Sequence, residues 1–375
     1  MKNRNYEKTV SIIISLCLAV LTFLYAGGFS QPVIYVLGAA LGCYEKGVTA
    51  GAVLTSANAN EKNEIISGFA GSRAPGQSEK QTAEEDLTVI PDDIKKLMSE
   101  AEALYAGFEK TGSISEKQLG GSSLTLRYGR VSVDDKTDDH KPDIKSLLEK
   151  KPSFGTITKD EPYILVYHTH TTEGYELLDK GFYSSDYNSR TEDGSKTVVR
   201  VGDALCAQLE KAGFKVIHDK TVYDANYNGA YSRSLVTVEK YLKKYPSIVL
   251  TLDVHRDAIQ YDSGTKCKPT AVIDGKKAAQ VMIISGCEEG DITNFPSWQQ
   301  NLVFALALHN AVEERAEGLM RPVFFCRRKY NMNVTPCSLL LEFGTDANTL
   351  DEAVYSGALV GRALGALLNK SLNEK

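Results

Sequence analysis

From residue 159 onward, short apolar runs alternate with longer stretches whose apolar residues recur at three- and four-residue spacing. Tyr163–Tyr167, Phe214–His218, Ile248–Asp253, Val281–Ser285 and Leu339–Phe343 have the pattern of strands. Thr197–Leu209, followed by Gly213, predicts a helix, as do Tyr231–Tyr245, Trp298–Glu317 and Leu350–Leu368. β-branched runs alternating with helices indicate an α/β domain with a mainly parallel sheet flanked by helices. In such sheets the reactive groups gather just past the carboxyl ends of the strands.

The amino-terminal third has a different texture. Val10–Phe29 is an uncharged apolar run preceded by Lys2, Arg4 and Lys8, with Glu7 the one acid. At 1.5 Å rise per residue its length matches a bilayer core of about 30 Å. The basic flank predicts a single-pass anchor with the amino terminus cytoplasmic and everything downstream extracytoplasmic. A cleaved signal peptide is the rival reading, but no small-x-small site ends the run. Pro32–Tyr44 is too short and glycine-rich for a second span. The expected layout is a membrane anchor over 1–30, a flexible stalk over 31–89, a membrane-proximal region over 90–158 and a catalytic domain over 159–375. Within 90–158, Ile90–Phe108 predicts a helix and Leu124–Val133 a strand.

Composition narrows the classes. In 375 residues, 42% are apolar and 24% charged, an ordinary globular mixture. The net charge of −5 gives no overall basic field, which argues against a nucleic-acid partner. Beyond the membrane region lie Cys206, Cys267, Cys287, Cys326 and Cys337, with no CxxC pair; neither a disulfide framework nor a thiolate zinc ribbon is indicated.

The chemistry-bearing residues fall at the predicted strand ends. After the first strand comes His168-Thr169-His170-Thr171-Thr172-Glu173, in which His170 and Glu173 stand three residues apart, close enough to share a zinc ion. His168 is the alternative ligand. After the Ile248–Asp253 run comes His255, a third ligand from another strand end. Glu342 follows Leu339-Leu340-Leu341, where a carboxylate is costly to bury without compensation; beside a zinc ion it would be the general base. Taken singly, each residue also reads as a packing histidine or an arginine-paired acid, with Arg321, Arg327 and Arg328 near Glu342. His140, His218 and His309 have no comparable setting. No G-x-S-x-G elbow is present, and neither Cys287 nor Cys337 has a catalytic-cysteine context.

Three segments in order, YHTHTTEGY at 167–175, LDVHRDA at 252–258 and RKYNMNVTPCSLLLEFGTDANTLDEA at 328–353, resemble the stage II sporulation protein P family. The resemblance covers roughly residues 160–370. It implies a domain similar to zinc-dependent N-acetylmuramoyl-L-alanine amidases, with endopeptidase activity on stem-peptide cross-links. It further implies action on septal peptidoglycan at the engulfing membranes of sporulating cells, with the stage II sporulation proteins D and M as partners. Carried over by motif, His170, Glu173 and His255 would hold zinc and Glu342 would be the base. Asn331 would contact substrate, although Met332 stands where the family has Gln and Cys337 where Gly is usual. Arg328, with Arg327 and Lys329, would supply local positive charge for substrate. Arg256 would stabilise the oxyanion or bind an acidic group of the stem peptide, a structural arginine–aspartate pair being its plainer reading, and Asp253 or Asp257 would orient His255. The alternatives are an inert peptidoglycan-binding scaffold and a zinc carboxypeptidase.

Overall fold

The structure, a computed structural model, describes residues 85–374. The anchor expected over 1–30 and the stalk up to residue 84 lie outside the described residues. Among the described residues no helix is long and apolar enough to cross a membrane.

In chain order the elements are α1 (Asp92–Tyr105), β1 (Gly112–Lys117), β2 (Leu126–Tyr128), β3 (Val131–Lys136), α2 (Ile144–Leu148), β4 (Pro162–Tyr167), β5 (Phe182–Tyr183), α3 (Val198–Lys211), β6 (Lys215–His218), α4 (Ala230–Lys244), β7 (Leu250–Asp257), β8 (Lys266–Ile273), β9 (Lys276–Ala279), β10 (Val281–Gly286), α5 (Trp298–Glu313), β11 (Val323–Cys326), β12 (Cys337–Thr345) and α6 (Leu350–Asn373). Eight strands form one mixed sheet in the order β2-β3-β11-β10-β12-β7-β4-β6. The expected parallel character is largely present: five of its seven pairings are parallel, and the direction reverses between β10 and β12 and between β2 and β3.

One face of this sheet packs against α3, α5 and α6, burying Val201, Leu205, Phe304 and Leu364 with Leu252, Val254, Leu339 and Leu341. Near β4 the other face is covered by α4, through Val238 against Leu165 and Tyr167. The helices begin where local chemistry stops the preceding backbone. Thr197 caps α3 by accepting from the Val199 amide, and Thr349 with Glu352 forms a capping box on α6. α6 approaches α3 along Gly357, Gly361 and Gly365; a Cβ at Gly361 would stand 2.5 Å from the Leu205 carbonyl oxygen. Only glycine permits that separation.

Two features differ from the expected layout. Residues 92–148, set apart above as a membrane-proximal region, belong to the same fold: β3 pairs with β11 in the large sheet and β1 with β8 in a smaller one. From α1, Ile94, Ala101 and Tyr105 are buried in the main core, and the Tyr105 hydroxyl donates to Glu176 at 2.9 Å. The expected boundary at 158 followed the change of pattern at residue 159, but β3, with Val131, Ser132 and Val133 buried, pairs with β11 inside the sheet. The smaller sheet, in the order β5-β1-β8-β9, was not expected either. Its β8–β9 hairpin turns at Asp274-Gly275, both at positive φ, and this Asp-Gly pair is a hairpin signal. The five described cysteines are unpaired and buried.

Candidate active site

The site lies where β4, β7 and β12 end side by side. Parallel register brings their residues level: Tyr167 is opposite Asp253, Leu340 is opposite Asp253 on the other side, and Glu342 is opposite His255. Because side chains alternate along a strand, Asp253 and His255 share a face of β7 while Arg256 points to the other. After β4 the chain turns tightly, the Glu173 amide donating to the His170 carbonyl at 3.0 Å, and this carries Glu173 back beside the imidazoles.

His170, Glu173 and His255 are thereby assembled, all buried. The two imidazole rings stand edge to face with centroids 5.3 Å apart. Glu173 Oε2 is 3.3 Å from His255 Nδ1 and accepts from the Arg256 backbone amide at 3.1 Å. Burial alone would raise the Glu173 pKa, but its bond to His255 and the charges of His255, Arg256 and His170 outweigh that and hold it down to about 2. His255 Nε2 lies 2.8 Å from Asp253 Oδ1, in ion-pair reach but out of line for a hydrogen bond. Asp253, fully buried, also accepts from the Thr169 amide and hydroxyl at 2.8 and 2.6 Å. Burial opposes a charge on His255, yet Asp253 and Glu173 together push its pKa well above the ordinary value. Of the two aspartates expected beside His255, Asp253 is the one in contact; Asp257 pairs with Arg321 at 2.9 Å.

His168 sits elsewhere. Its Nδ1 meets the Val254 carbonyl at 2.9 Å and its Nε2 meets His218 Nε2 at 2.8 Å, so both ring nitrogens are used in packing. Burial, with His218 beside it, pushes its pKa well down. Glu342 has one buried carboxylate oxygen, Oε2, without a hydrogen-bond partner. Burial, helped by Asp257, pushes its pKa up to about 8.

The other expected residues are placed differently. The Arg256 guanidinium turns away from His255 to the carbonyls of Gly174 and Asp257. The Asn331 amide group donates to the Tyr231 carbonyl and the Ser234 hydroxyl, tying the 328–332 loop to the start of α4. Arg328 is half-buried and donates to the Arg327 carbonyl. Tyr330 and Asn331 both have positive φ, and the Tyr330 ring stacks on Tyr231, which lies over His255.

Several site residues were missed in the sequence. Arg190 donates to Glu173 Oε1 at 3.1 Å and to Asp224 Oδ2 at 2.9 Å. Asp224 accepts from the Thr172 amide and hydroxyl and stands 3.6 Å from His170 Nδ1. Tyr227 stacks parallel on the His170 ring, with centroids 4.6 Å apart. None of these has a motif around it. Arg190 is placed by the loop of residues 184–196, which bridges to Glu173 and passes so close that a Cβ at Gly174 would stand 2.2 Å from the Ser189 carbonyl. Asp224 and Tyr227 come from the segment between β6 and α4, held there by the bonds from Thr172 to Asp224.

The donor set suits a divalent metal: two imidazoles and a carboxylate, with His170 Nδ1 buried and without a hydrogen-bond partner. Among the described residues, however, no three His, Cys, Asp or Glu side chains stand close enough to grip an ion as placed.

A family model described as stage II sporulation protein P matches residues 70–365. The stage II sporulation protein P of Bacillus subtilis (strain 168) is 31% identical over 216 residues, which is 54% of this chain and 50% of that protein; the chain thus spans about half the length of the curated relative it matches. Among solved structures, the CwlD amidase from Clostridioides difficile, in complex with the GerS lipoprotein, is similar at 13% identity over 57% of this chain and 100% of that one, with a TM-score of 0.35. The N-acetylmuramoyl-L-alanine amidase AmiC2 of Nostoc punctiforme is similar at 12% identity over 56% and 97%, with a TM-score of 0.32.

Proposed function

The chain belongs to the stage II sporulation protein P family, and on that premise we propose that it is a zinc-dependent peptidoglycan hydrolase of sporulation. Its reaction would be that of an N-acetylmuramoyl-L-alanine amidase, with endopeptidase activity on stem-peptide cross-links at the same site. The observation that carries the reading is the convergence of His170, Glu173 and His255 with Glu342 directly opposite His255.

His170, Glu173 and His255 would hold the zinc ion. When bound there, the ion would act as a Lewis acid on the scissile carbonyl and lower the pKa of a water molecule. Glu342, whose Oε2 has no competing partner, accepts the water proton and later delivers it to the leaving amine. Asp253 holds the His255 ring from behind, and the Tyr231–Tyr330 stack walls one side of the site. Arg328, beside Tyr330, would supply positive charge for substrate, whereas Arg327 pairs with Asp138 and Lys329 donates to the Thr293 carbonyl. An anchor within residues 1–30 would place the enzyme at the septal and engulfing membranes, where the stage II sporulation proteins D and M would be its partners.

The test is digestion of purified peptidoglycan by the protein, with and without a chelator, with released fragments identified by mass. Free stem peptides that vanish with chelation and return with zinc are expected, and His255→Ala and Glu342→Gln should release none. Fragments shortened only at a peptide carboxyl terminus would instead identify a carboxypeptidase.

A further inference from the structure

The two oxygens of Glu173 have separate employments. Oε2 faces His255 Nδ1 and takes the Arg256 amide, while Oε1 accepts from the Arg190 guanidinium at 3.1 Å. Arg190 is itself held: its Nη1 donates to Asp224 Oδ2 at 2.9 Å and to the Thr172 hydroxyl at 3.2 Å, and its backbone bridges to Glu173. Asp224 in turn is fixed by the Thr172 amide and hydroxyl at 3.0 and 2.7 Å. A planar guanidinium pinned at both ends cannot follow a carboxylate that rotates.

We infer that Arg190 is a positioning residue that makes Glu173 a one-oxygen metal ligand, reserving Oε1 so that a coordination position stays open for substrate and water. The inference rests on the reading of His170, Glu173 and His255 as the residues that hold zinc. A carboxylate freed from such a restraint can offer both oxygens to an ion, and the second fills the position the reaction needs. Losing Arg190 should therefore leave the metal bound while raising its coordination number and lowering turnover. A purely supporting role predicts the opposite, a weaker site with unchanged geometry.

Cobalt(II) separates these outcomes, because its visible bands weaken as coordination number rises. The full chain and Arg190→Gln would be titrated with cobalt, and metal affinity, band intensity and peptidoglycan cleavage compared. The expected result for Arg190→Gln is cobalt affinity within a few-fold of wild type, rather than the roughly 10–100-fold loss typical of a removed supporting partner, with weaker bands and reduced cleavage. Arg190→Lys, which restores a cation and a donor, should return the bands toward wild type. Should Arg190→Gln not fold, Asp224→Asn frees the far end of the guanidinium and should shift the same bands in the same direction. Wild-type bands in the folded variant, or loss of metal from it, overturn the inference. A wild-type chain that takes up no cobalt overturns the zinc reading itself, and this inference with it.

Discussion

Glu342 on β12 lies directly opposite His255 on β7, in parallel register, with their neighbours Leu340 and Asp253 also paired. Strands in a sheet are spaced by about 4.8 Å, so this register alone sets a carboxylate beside an imidazole without any loop to position it. Two residues 87 positions apart in sequence become neighbours through backbone hydrogen bonds.

Replacing Glu342 by Gln is expected to lower both amidase and endopeptidase rates together by roughly 10²–10⁴-fold, the usual worth of a general base. Metal content should be unchanged, since Glu342 is not among the residues assigned to hold the ion. Thermal stability should not fall, because a buried carboxylate whose pKa stands at about 8 is exchanged for a neutral amide. Loss of one activity with the other intact would mean two sites.

Asp253→Asn weakens the support behind His255 and disturbs the two bonds from Thr169. Zinc affinity, read by competition with a chelating dye, should fall about 10–100-fold. Asp257→Asn, which touches Arg321 instead, should leave zinc affinity within a few-fold of wild type.

His309 in α5 gives a pH dependence of stability. Burial lowers its pKa from 6.5 to about 4 in the folded protein. The unfolded chain therefore binds a proton more readily, and the stability that the neutral ring supports is present above pH 6.5 and lost as pH falls toward 4. Between pH 7.5 and 4.5 the loss from this residue is roughly 2–3 kcal/mol. Urea midpoints at the two pH values should differ by less in His309→Leu than in wild type. An equal difference in both would assign the acid lability to other groups.

A chain starting at residue 159 is expected not to fold. It lacks β3, which pairs with β11, and β1, which pairs with β8, and it strips Ile94, Ala101 and Tyr105 from the core. Removing β3 also bares the edge of β11 to association with other chains. A monomeric, cooperatively melting product would show that 92–148 is an accessory layer after all.

Much of this architecture was legible in the residues. The strands Tyr163–Tyr167 and Ile248–Asp253 and the helices from Trp298 and Leu350 follow from apolar spacing, which acts through the local geometry of strand and helix. His170 and Glu173 follow β4, and His255 and Glu342 lie within the last few residues of β7 and β12, the region to which the apolar runs direct attention. Arg256 was misplaced in role because the alternation of a strand, applied one residue further, already turns its side chain to the opposite face. The β8–β9 hairpin is legible in Asp274-Gly275, both of which take positive φ at its turn.

What the sequence determined by itself is therefore the set of elements and the family motifs, both of which are carried by neighbouring residues along the chain. Spacing along the chain already set His170 with Glu173; the tertiary structure added what His168 does, packing on His218 and the Val254 carbonyl, contacts brought in from other strands. It alone brought Arg190, Asp224 and Tyr227 to the site, because loops carry no periodicity to announce where they will land. It alone joined residues 92–148 to the catalytic sheet, because strand pairing depends on partners far away in sequence.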